Sequence, residues 1–182
     1  ASQRRFAAIF ENSPIPTAIA TIDDLRWIDV NTMFVELCGY TRQELIGRNK
    51  EETKIWKNAE TLEQMLTLIH EQGQVRNFET SLWRKDDEIR QVSVTIGKLN
   101  LDETDRLIFQ VLDITEKHQL AKSLLESNQR FEQLATHIEE VFWISEKTGK
   151  INYASPACDS LFGCSAEDLY LGRKEFIDLV HP

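Results

Sequence analysis

The chain has 182 residues, of which 41% are hydrophobic and 28% are charged. A length of this order accommodates one domain or slightly more, and the composition is that of an ordinary soluble globular protein. Acidic side chains (30) outnumber basic ones (21) and give a net charge of −9, which argues against nucleic acid as a partner. No apolar run in the sequence approaches the roughly 20 residues that a membrane-spanning helix needs.

The three cysteines are Cys38, Cys158 and Cys164, which form no CxxC pair and stand near no histidine in the sequence. This pattern argues against a disulfide framework or a zinc site and is typical of reduced, mostly buried thiols in a cytosolic protein. A reactive or redox-sensing cysteine is the less favoured alternative, because no cations flank these residues. We therefore expect a cytoplasmic protein without a metal site.

The first predicted elements along the chain are short. Helical spacing of apolar residues marks 3–11, and strand-like runs at 18–22 and 26–30 flank an acidic turn. Two short helices follow, each with a capping residue at its start, and they end at Gly39 and Gly47. Asn31 or Thr32 can cap the first of these helices, and Thr41-Arg-Gln-Glu44 is a capping box that starts the second.

A longer helix and three strands follow. Residues 58–72 have the apolar stripe of an amphipathic helix, formed by Leu62, Leu66 and Ile69. Alternating apolar and polar side chains predict strands at 78–83 and 91–96, joined by a hairpin turn at 85–88. The run 107–112 is apolar on both faces, which predicts a central strand. This order predicts an α+β domain in which helices cover one face of an antiparallel sheet.

Residues 115–139 contain neither glycine nor proline and repeat in a heptad pattern. The seam consists of Leu120, Leu124, Ser127, Phe131, Leu134 and Ile138. Such a seam, over roughly three heptads, predicts a coiled coil that holds a homodimer. The alternative is a single amphipathic helix that packs on its own domain.

The sequence repeats itself at a distance of roughly 125 residues, which indicates one kind of module used in series. Residues 27–48 are matched by residues 151–173, with Gly39 aligned with Gly163. Strand-like runs open the second copy, but nothing after them supplies the three long strands of the first copy. We therefore expect a second module that is cut short and a natural chain that continues beyond Pro182.

Five motifs, in order and correctly spaced, closely resemble the PAS family of sensory modules. They are Ile28-Asp-Val-Asn31, Gly39-Tyr40, Glu44-Leu-Ile-Gly47, Arg84-Lys-Asp86 and Asp113-Ile-Thr-Glu-Lys117. The resemblance covers residues 5–117 and the first half of the second copy, where Val180-His-Pro182 is similar to that family's mid-domain HP element.

The resemblance implies a PAS-like five-stranded antiparallel sheet whose inner face and short helices enclose a small pocket. The expected organisation is a first PAS domain at 1–114, a linker helix at 115–139 and the first half of a second PAS domain at 140–182. It also implies a bacterial signalling role, in which such modules precede histidine kinase, GGDEF or EAL output domains. The sequence contains none of those output domains.

Strand alternation and helical face predict which side chains would line the pocket. The predicted lining is Ile19, Phe34, Leu37, Trp56, Leu66, Ile69, Phe78, Thr80, Leu82, Val94, Ile96, Phe109 and Val111. Thr80 is the polar member expected to point inward, where it would orient a ligand or bond to its own backbone. The alternative is that these side chains fill the core completely.

No catalytic motif is present in the sequence, so we expect that the protein is not an enzyme. Flavin photochemistry is disfavoured, because photoreceptor LOV modules, a subgroup of the PAS family, have a cysteine at the position of Lys50 and a glutamine at that of Val111. Gln110 is one residue away and points to the opposite face. Haem is also disfavoured, since the available histidine, His70, is predicted in the last turn of its helix. No cofactor is expected, and a small apolar or amphipathic ligand is the expected partner of the pocket.

The sequence thus predicts a sensory input region that acts through a dimeric helix on a downstream output domain of the same polypeptide, in two-component or cyclic-di-GMP signalling. The residues expected to transmit the signal are Asp113, Thr115, Leu120, Leu124 and Phe131. Thr115 is expected to cap the exit helix and Asp113 to place a negative charge near its positive end. The alternative is a ligand-free dimerisation adaptor.

Overall fold

The computed structural model describes residues 2–56, 58–101, 104–138, 140–148, 150–163 and 165–171. Predictions that concern Cys164 and residues 172–182, including His181 and the HP element, lie outside the described residues. The chain divides into two compact units, 1–119 and 120–182.

The first unit is built on a five-stranded antiparallel sheet, which confirms the predicted fold class. Its strands are β1 (Thr17–Ala20), β2 (Trp27–Val30), β3 (Gln74–Trp83), β4 (Ile89–Leu101) and β5 (Thr104–Asp113). Their spatial order is β2-β1-β5-β4-β3. Strand β5 is therefore central, as its apolar composition predicts, and β3 is an edge strand.

Strand β3 begins earlier than its alternation pattern predicts. The register between β3 and β4 shifts between Val75 and Phe78, and Asn77 within this bulge has a φ of 50°. A bulge places an extra residue in one strand and interrupts the period of two. The simple alternation therefore becomes visible only from Phe78 onward.

Five helices accompany the sheet in the described part of the first unit before the exit helix. They are α1 (Ser2–Glu11), α2 (Thr32–Cys38), α3 (Arg42–Leu45), α4 (Lys50–Thr53) and α5 (Ala59–Gln72). The capping box of Thr41 and Glu44 starts α3 as predicted. Helix α4 was not predicted, although Asn49 and Glu52 form a second capping box at its start.

Asn31 fixes the start of α2 to the start of β1. Its Oδ1 accepts hydrogen bonds from the amides of Thr17 (2.9 Å) and Phe34 (3.0 Å). Its Nδ2 donates to the carbonyl of Ile15 at 2.9 Å and to that of Phe10 at 3.2 Å. Because the side chain is fully buried, these bonds satisfy polar atoms that water cannot reach.

Helix α5 buries a slightly different stripe from the predicted one. Leu62 and Ile69 are buried as expected, but Met65 is fully buried between them, whereas Leu66 is only partly buried. The buried stripe thus follows the i, i+3, i+7 positions. Gly73 ends the helix with a φ of 75°, a conformation that glycine adopts without steric cost.

The described part of the second unit contains a two-stranded sheet and two short helices, which is compatible with the predicted first half of a second module. Helix α6 (Thr115–His137) begins in the first unit and ends in the second; it is followed by β6 (Trp143–Ser145), β7 (Ile151–Ala154), α7 (Ala157–Phe162) and α8 (Ala166–Tyr170). Gly163 ends α7 in the left-handed conformation, as Gly39 ends α2. Ser155 Oγ accepts the amide of Phe142 at 3.1 Å, a role similar to that of Asn31.

Candidate functional site

The inner face of the sheet and the helices above it enclose one apolar cluster. Cross-strand pairing places Val94 opposite Val111 and Ile96 opposite Phe109, and directly opposed residues share a face. The predicted lining residues that are buried in this cluster are Phe34, Leu37, Trp56, Ile69, Leu82, Val94, Ile96, Phe109 and Val111. Leu66 and Phe78 pack against it partly buried.

Ile19 lies elsewhere, which corrects its predicted place in the lining. Its neighbours Ala18 and Ala20 belong to the inner cluster, so the alternating strand turns Ile19 to the outer face. Its pairing with Ile108 places both side chains on that face. Ile19 is nonetheless 1% exposed. The prediction placed Ile19 on the wrong face of β1, because the inward positions of this strand are occupied by the small side chains of Ala18 and Ala20.

Trp56 is a buried side chain of the cluster with an unsatisfied polar group. It is 7% exposed, and none of the described residues accepts a hydrogen bond from its Nε1. The indole of Trp27 provides a contrast, because its Nε1 donates to Thr53 Oγ1 at 3.3 Å. A buried donor without an acceptor costs roughly 1–3 kcal/mol, so a polar acceptor at Trp56 would be stabilising.

Two depressions open at the surface where α5 faces the edge strand β3. One, of about 280 Å³, is lined by residues that include Thr61, Thr80 and Ser81. The other, of about 510 Å³, is lined by residues that include Glu60, Glu63 and Leu68. Both include Gln64 and Phe78 in their linings. Phe78 and Thr80, two members of the predicted pocket lining, are therefore accessible to solvent from these depressions.

The β3–β4 hairpin holds the end of α2 through Arg84. Its Nη1 donates to the carbonyls of Leu37 at 2.6 Å and Glu36 at 2.9 Å, which are among the carbonyls that a helix C-terminus leaves without partners. The adjacent Lys85 forms an ion pair with Glu44 at 2.5 Å. The hydrogen bond from Lys85 is the main cause that lowers the pKa of Glu44 to about 2.

A chain of ion pairs continues from Arg84 to the exit of the sheet. Glu88 Oε2 lies 3.3 Å from Arg84 Nε and 3.0 Å from Arg90 Nη2. Arg90 Nη1 in turn lies 3.5 Å from Asp113 Oδ2. The hydrogen bond with Glu88 is the main cause that raises the pKa of Arg90. The sequence motifs contain Arg84 and Asp113 but not Glu88 or Arg90, and the contacts among the four residues depend on strand pairing.

The predicted transmission residues Asp113 and Thr115 meet β4 at the start of α6. Asp113 Oδ1 accepts the amide of Thr115 at 2.9 Å, while Thr115 Oγ1 accepts the amide of Gln91 at 2.9 Å. The amide of Ile114 donates to the carbonyl of Gln91 at 2.8 Å. Asp113 rather than Thr115 therefore binds the first helical amide, and the Thr115 hydroxyl holds the helix to the sheet.

The apolar seam of α6 is exposed along most of its length. Leu124 is 63% exposed and Leu134 is 67% exposed; Leu120 and Ile138 are also exposed. Phe131 differs, because its ring lies edge-on to Tyr153 with centroids 4.9 Å apart. The predicted transmission residues Leu120 and Leu124 therefore present apolar surface, while Phe131, also exposed at 42%, contacts Tyr153 of the second unit through one side of its ring.

The expectations about flavin, haem, reactive thiols and metals depend on Lys50, Gln110, Val111, His70 and Cys38. Gln110 is exposed and Val111 is buried, as strand alternation predicts, and Lys50 opens α4. His70 is exposed in the last turn of α5. Burial raises the pKa of the Cys38 thiol to about 11, which disfavours the reactive thiolate. Within the described residues, no group of three His, Cys, Asp or Glu side chains is placed to hold a metal ion.

Residues 4–114 match the family model described as the PAS fold. The PAS domain of an HTR-like protein from Haloarcula marismortui is 28% identical; the match covers 62% of this chain and 92% of that one, with a TM-score of 0.51. A PAS domain from Colwellia psychrerythraea is 16% identical; the match covers 64% of this chain and 99% of that one, with a TM-score of 0.52. A PAS domain from a two-component sensor histidine kinase is also 16% identical, with coverage of 62% and 99% and a TM-score of 0.52. The search of curated proteins found no match.

The fold, the order of the motifs and the family match define the class of protein. Since the family model covers more than half of the sequence, this chain belongs to the PAS family. The likenesses at 16% identity show the fold alone. In the described part of the chain, no helix is both long enough and apolar enough to span a membrane.

Proposed function

We propose that this chain is the sensory input region of a signal-transduction protein and that a small ligand binds inside its first unit. Membership of the PAS family supports the sensory role. In this role the chain binds the ligand and relays the signal, and it carries out no catalytic step. The output domain, a histidine kinase or a GGDEF or EAL domain, would lie elsewhere in the same polypeptide.

The observation that carries the proposal is the buried Nε1 of Trp56, for which no described residue is an acceptor. A ligand with a carbonyl, carboxylate or hydroxyl oxygen would accept this hydrogen bond, while its apolar part would contact side chains of the inner cluster. Small-molecule sites usually combine a mostly apolar lining with a few polar groups that orient the ligand. The inner cluster with the Trp56 indole N–H has this combination. Neither flavin nor haem is part of the proposal.

The signal would pass from the site to α6 through the ion pairs of the hairpin. Leu37 belongs to the inner cluster, and its carbonyl is held by Arg84. Glu88 connects Arg84 to Arg90, and Arg90 contacts Asp113 at the start of α6. A ligand that binds two arrangements of this chain of contacts with different affinity would shift the balance between them. The exposed seam of α6 would transmit the change within a homodimer.

A thermal-shift panel of small amphipathic compounds tests the proposal on the wild type and on Trp56→Phe. A ligand that binds the native state raises the melting temperature. We expect at least one compound to raise the melting temperature of the wild type, and to raise the melting temperature of Trp56→Phe clearly less. Trp27→Phe is the matched control, because it removes an indole whose hydrogen bond is already satisfied.

The second candidate function is a ligand-free dimerisation adaptor. It is favoured by the contiguous burial of the inner cluster, which is what a completely filled core would show. The two functions differ in the panel, because an adaptor would gain no thermal stability from any compound.

A further inference from the structure

The free edge of β3 is open over a short stretch. Strand β4 pairs with one side of β3, while the amide of Trp83 points to the other side and donates to the carbonyl of Ile55 at 3.0 Å. The direction of backbone groups alternates along a strand, so Ser81 and Glu79 also direct their amides and carbonyls to this edge. Among the described residues, none bonds to those backbone groups.

Both ends of this stretch are closed. Ile55 covers the end at Trp83. At the other end, the bulge between Val75 and Phe78 interrupts regular pairing. Natural sheets use such devices to limit edge-to-edge association. Here they leave an edge of about four residues, which fits a short extended segment rather than a whole strand of another sheet.

Beside this edge runs the groove formed by the two depressions between α5 and β3. Its floor includes the apolar side chains of Phe78 and Leu68, and its rim includes the carboxylates of Glu60 and Glu63. The described lining residues of the two depressions include no lysine or arginine. An apolar floor with an acidic rim is complementary to a long basic side chain, whose stem is apolar and whose head is charged.

We propose that this edge and groove bind an extended segment of a partner protein in which basic residues alternate with other residues. The segment would add to β3 as a further strand and exchange hydrogen bonds with the backbone of Glu79 and Ser81. Its lysine or arginine side chains would cover Phe78 and Leu68 and would reach Glu60 and Glu63. The chain's net charge of −9 further favours a basic partner over an acidic one.

Three fluorescent pentapeptides test this binding by anisotropy: Lys-Val-Lys-Val-Lys, Glu-Val-Glu-Val-Glu, and the lysine peptide with N-methylated valines. We expect the first to bind at least about tenfold more tightly than either of the others, since the second has the wrong charge and the third loses backbone donors. Equal binding of the lysine and glutamate peptides, or of the methylated and unmethylated ones, would overturn the proposal. So would the absence of binding by the lysine peptide.

Variants of the protein locate the site. Glu60→Gln with Glu63→Gln is expected to weaken binding of the lysine peptide about fivefold, the effect of two exposed ion pairs. Glu36→Gln with Glu71→Gln is the matched control, because it removes the same charge at exposed positions outside the groove. Ser81→Pro removes one edge donor in a strand position that tolerates proline, and it should also weaken binding. An equal loss in the control pair would place the peptide elsewhere.

Discussion

The guanidinium of Arg90 lies 3.5 Å from one carboxylate oxygen of Asp113, while the other oxygen of Asp113 accepts the amide of Thr115 at 2.9 Å. One carboxylate thus connects the hairpin side of the sheet with the first turn of α6. This relationship explains why a short motif at the end of β5 determines how the exit helix begins.

Asp113→Ala is expected to lower the free energy of unfolding by about 1 kcal/mol, because it removes the group that binds the first helical amide. Hydrogen exchange of the amides in the first turn of α6 should become faster. Arg90→Gln is the control for the ion pair alone and should cost less than about 1 kcal/mol, since the pair is partly exposed. Equal effects of the two variants would contradict the capping role of Asp113.

Thr115→Val is expected to cost about 1 kcal/mol of stability, because the amide of Gln91 loses its acceptor. Thr115→Ser retains the hydroxyl and should remain within about 0.5 kcal/mol of the wild type. Denaturant unfolding of the two variants makes the comparison. If valine were tolerated as well as serine, the hydroxyl would not hold the helix to β4.

The Glu44 carboxylate makes stability depend on pH in the acidic range. Its pKa falls from 4.5 to about 2 in the folded state, so its contribution is fully present above pH 4.5 and is lost as the pH falls toward 2. Glu44→Gln should therefore flatten the fall in stability between these values, measured by urea unfolding at several pH values. Because the group is exposed, added salt should reduce the effect. A pH profile identical to that of the wild type would contradict this role.

Leu124→Ala combined with Leu134→Ala is expected to convert a dimer into a monomer, since both side chains expose apolar surface on the seam of α6. Sedimentation equilibrium measures the change. Leu125→Ala is the matched control, because Leu125 is 58% exposed on the same helix but lies outside the seam. A dimer that survives the double substitution would mean that another surface holds the two copies.

Local signals predicted the caps of α2 and α3, though not that of α4, because a cap depends on neighbouring residues. The cap bonds of Asn31, Gly39 and the Thr41–Glu44 box all join residues within four positions of each other in the sequence. Contacts across the fold were less accessible to sequence reasoning. Thr115 bonds to Gln91, 24 residues away, so its hydroxyl was assigned to the helix instead of the sheet.

The sequence predicted correctly that the inner face of the sheet carries the apolar cluster, but it identified only part of the residues in that cluster. Alternation identified the inner residues of β4 and β5, because the strands there are regular. It failed at Ile19, because the rule that large apolar side chains face inward does not hold where Ala18 and Ala20 fill the inner positions. The unsatisfied indole of Trp56 has no signature in the sequence, since it depends on what surrounds the ring.

The most direct test of the ligand proposal is the indole region of a ¹H–¹⁵N NMR spectrum, recorded while the compound that most raises the melting temperature is added. The chain has four tryptophans, and the Trp56→Phe and Trp27→Phe spectra assign two of the four indole signals. We expect the Trp56 signal to move downfield as its N–H gains an acceptor, while that of Trp27 stays in place. A Trp56 signal that does not move at saturating compound would contradict the proposed ligand site.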